Sequence, residues 1–230
     1  MDPFLGFGYQ IATGVMMTVR VALGALALGL LWGIIGAIAK LSAFRLPRLV
    51  ADAYTTAARG TPELLVILIA YFGSTVTLTK LAKLWNPETV YIEIPAMGAG
   101  IFALSLVFGA YVTEVFRGAI LAVPVGQVEA AKAFGMPSWM IFVRIKLPQM
   151  YRFALPGLGN HWISLVKDTA LISVVGLEEL MRMSYIATSV TNRPFRFYFI
   201  ATLIYLLIAM INTSVLQRLE RRAKRGVREG

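Results

Sequence analysis

The most constraining feature of this chain is the run Ile11 to Ala39, in which Arg20 is the single charged residue. A helix of roughly 20 apolar residues crosses a bilayer. Hydrocarbon offers backbone groups no hydrogen-bond partner, so such a run must be helical unless it closes into a barrel. The run is dotted with Gly24, Gly29, Gly33 and Gly36. In lipid these small residues let another helix approach closely, because association there depends on packing more than on water-driven burial. The chain as a whole, 58% hydrophobic, reads as an integral membrane protein.

The net charge of +10 does not imply nucleic-acid binding, because the basic residues fall in the links between apolar runs and in the tail. Lys40, Arg45 and Arg48 directly follow the first run, whereas Asp2 alone precedes it. The positive-inside rule therefore places the N-terminus outside. The tail cations Arg218, Arg221, Arg222, Lys224, Arg225 and Arg228 place the C-terminus inside. Met1-Asp2-Pro3-Phe4 lacks the basic flank of a cleaved signal, so the first span is expected to be retained. With no cysteine and one histidine, the sequence offers neither a disulfide framework nor a histidine-based metal cluster.

The pattern predicts an all-α integral membrane fold with five transmembrane helices, at 11–39, 50–72, 96–122, 151–176 and 194–216, in one domain over 1–230. The second span is interrupted by Arg59-Gly60-Thr61-Pro62-Glu63, a helix-start signature with Thr61 as N-cap and Glu63 favoured by the dipole. Such a break at membrane depth marks a cavity or pathway. Glu63 is thus a candidate contact for a cationic cargo, with Arg59, four residues earlier, as an alternative partner. The region 74–95 reads as an external loop, and 177–193 as a polar, external segment. Lys167 and Asp168 sit near the middle of the fourth span, where ionisable groups face a bundle interior or a pathway. Adjacent residues diverge by about 100° on a helix, so each is expected to pair elsewhere, with Asp168 a second pathway candidate. Glu114 and Arg117, three apart, read as a structural pair, and His161 as a packed residue.

Between the third and fourth spans, 123–150 forms a cytoplasmic loop rich in Lys and Arg. Gln127 to Phe134 favours a helix that Gly135 can end, and Pro137-Ser138 can start a second helix stopping before Pro148. Within the loop, Glu129-Ala130-Ala131 is followed after three residues by Gly135, and after nine more by Ile145-x-Leu147-Pro148. This spacing resembles the EAA loop of the permease subunits of bacterial ATP-binding-cassette importers. The resemblance covers nearly the whole chain and extends to the polar amino-acid branch through Arg59-Gly60-Thr61-Pro62-Glu63, Tyr71-Phe72-Gly73, Thr113-Glu114, Phe116-Arg117-Gly118-Ala119 and Lys167-Asp168-Thr169-Ala170-Leu171. Gly36-Ala37, Lys40-Leu41-Ser42 and Glu63 resemble the first permease subunit of histidine/lysine/arginine/ornithine and opine importers.

The resemblance implies a type I importer permease (MetI-like) fold in the bacterial inner membrane. It implies a second permease subunit, a paralogue or a copy of this chain, an ATPase dimer beneath, and a periplasmic binding protein delivering cargo. The coupling helix, with Glu129, Ala130, Ala131 and Gly135, would dock in the ATPase. The sequence has no Gly-Lys dipeptide and hence no P-loop, so ATP and Mg belong to the partner and no cofactor is expected in this chain. A self-sufficient secondary transporter is the alternative, although five spans do not divide into two repeats. An intramembrane enzyme is less favoured, since the sequence lacks His-Glu-x-x-His and Gly-x-Ser-x-Gly.

Overall fold

The computed structural model describes residues 4–88 and 90–223. Asp2 and the tail cations Lys224, Arg225 and Arg228 lie outside the described residues. Among the described residues the regular structure is entirely helical. The helices are α1 (Gly8–Lys40), α2 (Arg45–Gly60), α3 (Glu63–Leu68), α4 (Ser74–Trp85), α5 (Ala96–Leu121), α6 (Val125–Ala133), α7 (Ser138–Ile141), α8 (Leu147–Asp168), α9 (Leu180–Thr191) and α10 (Pro194–Ala223).

The bundle is built around α5, which packs most extensively on α1 and next on α8. Its buried face carries Ala99, Ala103, Ala110, Gly100 and Gly109 among larger residues. The predicted close approach is present. A methyl group on Gly24 would meet Ile101 at 2.9 Å and one on Gly29 would meet Phe108 at 2.5 Å, while Gly33 and Gly36 lie directly against Val112 and Thr113. Two backbones at this separation leave no room for side chains on both partners, so α1 supplies glycines against Ile101, Phe108, Val112 and Thr113, and α5 answers with Gly109 against Trp32.

Four helical segments are long and apolar enough to cross a membrane: Gly8–Lys40, Glu63–Trp85, Ala96–Leu121 and Pro194–Ala223. The remaining expected span corresponds to α8 and the 3-10 turn Thr169–Val175, whose Arg152, His161, Lys167 and Asp168 dilute its apolarity.

The second span differs from the expectation of 50–72. α2 is a separate amphipathic helix, and the apolar segment is the continuous Glu63–Trp85, joined through a π-turn at Ile69–Gly73. Residues 74–85 are therefore helix, not external loop. Their lysines, Lys80 and Lys83, fall near the helix end, where long side chains can carry charge out of the apolar layer. Glu63 consequently stands at the start of the segment, not at its middle. Thr61 does not cap the following helix either; its hydroxyl donates back to the Ala57 carbonyl at 2.8 Å and closes α2.

The region 177–193 contains α9, which packs between α1 and α10. Two other expectations are corrected. The final helix runs on to Ala223 and includes Arg218, Arg221 and Arg222. Helix α7 does not stop before Pro148 but continues through a π-turn, Phe142–Lys146, into α8. Pro148 lies in the first turn of α8 and has no N–H to give the carbonyl one turn earlier; the wider π-turn just before it absorbs that mismatch.

Candidate functional site: a polar cavity and a coupling loop

Helices α3, α5 and α8 enclose a cavity of about 300 Å³ lined by Glu63, Tyr111, His161, Ser164 and Asp168, with Leu104, Val107, Phe108 and Leu165 behind them. The two candidate carboxylates, 105 positions apart in the sequence, thus line one space. Each is half-buried, and among the described residues neither takes part in an ion pair or a side-chain hydrogen bond. The expected pairing of Lys167 and Asp168 elsewhere in the bundle is not present. Asp168 opens on the cavity and Lys167 is exposed.

Arg59 does not pair with Glu63. Its guanidinium lies 5.4 Å from the centroid of the Tyr111 ring. Tyr111 also stacks on His161, with centroids 4.7 Å apart and planes inclined by 23°. His161 is packed, as expected, but it packs at the cavity wall. Neither the stack nor the cavity was legible as a unit, because its members come from three separate helices.

The end of the bundle that bears Lys40 is tied by charge. Glu114 and Arg117 pair at 2.9 Å as predicted, and Lys40 bridges Glu114 at 2.5 Å and Asp52 at 2.9 Å. Its sequence position marks Lys40 as a topology charge. In the structure its side chain is 10% exposed and joins α1 to α2 and α5.

Helix α6 leaves that end. Pro124 precedes it, and Gly135 closes it in the left-handed region at φ 73°. The Gly135 N–H donates to Lys132 O at 2.9 Å and the Met136 N–H to Ala131 O at 3.1 Å, the two bonds of a Schellman ending. Glu129 and Ala130 are exposed, whereas Ala131 is 5% exposed and turned inward, so its small size is required within the chain. Phe134 and Trp139, 89% and 66% exposed, flank the helix; from sequence Trp139 is expected at an interfacial or packing position, and Phe134 carries no such assignment. Their signal was aromatic residues inside a basic loop.

Comparison with known proteins decides what this arrangement belongs to. A family model described as the binding-protein-dependent transport system inner membrane component matches residues 11–225. The chain belongs to this family of importer permeases.

The permease is 46% identical to the nopaline transport system permease protein NocQ of Agrobacterium fabrum, over 97% of this chain and 94% of that one. It is 40% identical to the histidine/lysine/arginine/ornithine transport system permease protein HisQ of Escherichia coli, over 97% of each. A crystal structure of an amino acid ABC transporter with histidines superposes with a TM-score of 0.82 at 34% identity, covering 95% of this permease and 96% of that chain. The methionine ABC transporter MetNI, at 16% identity and a TM-score of 0.74, shares the fold. The permease is an ABC importer subunit of the type I fold.

One buried polar centre of the permease lies outside both sites. Glu179 is fully buried at the start of α9, where its carboxylate accepts from the Met181 and Arg182 N–H groups at 2.9 and 2.8 Å. Tyr205 donates to it at 3.0 Å and Thr18 at 3.4 Å. This centre fastens α9 to α1 and α10. A buried carboxylate without a cation is tolerated when several donors converge on it.

Proposed function

We propose that the permease carries a polar, basic amino acid or an opine derivative across the bacterial inner membrane, after delivery by a periplasmic binding protein and driven by ATP hydrolysed in a partner subunit. The N-terminus is external and the C-terminus cytoplasmic. Cargo passes the cavity that holds Glu63 and Asp168, and the ATPase dimer docks on the loop 123–150 through Glu129 and Ala130. A second permease subunit, a paralogue, completes the pathway. The permease holds no cofactor of its own, and ATP and Mg are bound by the ATPase.

The observation that carries this reading is the convergence of Glu63 and Asp168 on one cavity. Two carboxylates sharing a small space in a poorly polarisable bundle repel each other, and a cation between them relieves that repulsion. Family membership and the names of the similar relatives support the cargo class. The exposed Phe134 and Trp139 beside Glu129 supply the aromatic anchors that stable interfaces favour.

The chain has no cysteine, so single cysteines can be introduced without background. In the assembled complex, Ala130→Cys is expected to crosslink to a cysteine-bearing ATPase, and Ala131→Cys to react far more slowly. Crosslinking at neither Ala130→Cys nor Glu129→Cys would remove the docking assignment. In the same complex, Glu63→Gln is expected to lose arginine transport with normal assembly, and unchanged affinity would remove the cavity assignment.

A further inference from the structure

We infer that Arg59 is the carboxylate-binding residue of the cargo cavity, so that the site takes an amino acid held by its carboxylate at Arg59 and by its cationic groups at Glu63 and Asp168. The inference rests on the reading of that cavity as the cargo pathway and adds to it a second, opposite pole.

Arg59 stands in the last turn of α2, and Tyr111, a residue of the cavity lining, holds its guanidinium at 5.4 Å from the ring centroid. Among the described residues, no carboxylate or carbonyl accepts a hydrogen bond from Arg59. The ring therefore fixes the position of the cation while leaving its N–H edges free. A planar guanidinium presents those N–H groups as a fork that matches a carboxylate with two parallel bonds, and stacking reduces the freedom lost on binding. An arginine whose task was structural neutralisation would be expected to take the available acid four residues away, and Glu63 is left without an ion pair.

The site's charge then selects among cargoes. Glu63 and Asp168 line the cavity with two negative charges, and Arg59, exposed and not itself a lining residue, adds one positive charge through its contact with the lining residue Tyr111, whereas Lys167, also exposed and outside the lining, makes no ion pair or ring contact among the described residues. The complement is a ligand with one carboxylate, two cations and one net positive charge, as in arginine, lysine or ornithine. A conjugate of arginine with a second carboxylate is neutral overall, and one with a third is negative. The inferred order of affinity is arginine, then octopine, then nopaline. The volume of about 300 Å³ matches a single amino acid and is at the small end for ligand pockets.

The test is calorimetric binding to the complete permease–ATPase complex without the binding protein, using arginine and argininamide, which keeps both cations and lacks the carboxylate. Arg59→Gln is expected to weaken arginine by at least about tenfold and to leave argininamide unchanged, as for loss of one partner of a paired charge. Arg59→Lys, which keeps the charge without the fork, is expected to fall between and guards against misassembly of the first variant. Glu63→Gln is expected to weaken both ligands. If Arg59→Gln affects both ligands equally or neither, while Glu63→Gln weakens both, the inference fails and the cavity reading stands. If Glu63→Gln and Asp168→Asn change neither ligand, or the wild-type complex binds neither, the cavity reading fails and the inference with it.

Discussion

Replacing Gly135 isolates the backbone requirement of the loop 123–150, the proposed docking site of the ATPase. At φ 73° a side chain is disfavoured because its Cβ crowds the backbone, yet a Cβ built at this position meets nothing within 4 Å. The cost of Gly135→Ala is therefore conformational, about 1–2 kcal/mol for an L-residue in the left-handed region. That corresponds to roughly a 5- to 30-fold fall in the population of the correctly closed helix end. Relaxing the strain by opening the turn would forfeit the Gly135 and Met136 hydrogen bonds to Lys132 and Ala131. Asparagine tolerates the same conformation, as Asn192 does at φ 54° at the end of α9. The expected order of coupled ATPase activity is glycine, asparagine, alanine, valine, with Gly135→Val worse than alanine because of its branched Cβ. ATPase affinity for permease in nanodiscs and cargo-stimulated hydrolysis both read this series. An asparagine variant no better than valine, or an alanine variant indistinguishable from wild type, would refute the reasoning.

Three further outcomes follow from the bundle. Gly33→Val is expected to lower thermal stability by about 1–3 kcal/mol through overpacking on Val112, whereas Gly126→Ala, in open space, should change it little; equal melting shifts would contradict the packing account. Glu179→Ala leaves two backbone N–H groups and the Tyr205 hydroxyl without their acceptor, and is expected to cost about 2–4 kcal/mol, measured by hydrogen exchange concentrated in α9. Exchange unchanged in α9 would show that this centre does not hold the helix. Lys40→Met is expected to loosen α2 from α1, because Asp52 loses the one ion pair it makes among the described residues while Glu114 keeps Arg117; unchanged spin-label distances between α1 and α2 would contradict this.

The legible features were local in sequence. The run of glycines in α1 announced close packing, Glu114 and Arg117 lay one helical step apart, and Gly135 after Ala133 announced a helix end. Pro62-Glu63 correctly marked the start of a helix, but Thr61 was misassigned because its hydroxyl can serve either flanking helix, and the preceding carbonyl of Ala57 won. The boundaries of the second span failed because Lys80 and Lys83 lowered the apparent hydropathy of a segment whose backbone remains helical. Pro148 was read as a stop because the π-turn that accommodates it is a tertiary property of 142–146 and leaves no pattern in residue type. The union of Glu63 with Asp168, of Lys40 with Glu114 across 74 positions, and of Glu179 with Thr18 across 161 is set by packing, which no local spacing encodes.

The proposed function requires that this permease move cargo only when a partner ATPase drives it. Uptake of radiolabelled arginine into proteoliposomes tests it directly, comparing the permease pair alone with the complex containing ATPase, binding protein and ATP. ATP-dependent accumulation by the full complex is expected, and none by the permease pair with or without an ion gradient. Gradient-driven accumulation by the permease pair without ATPase would contradict it.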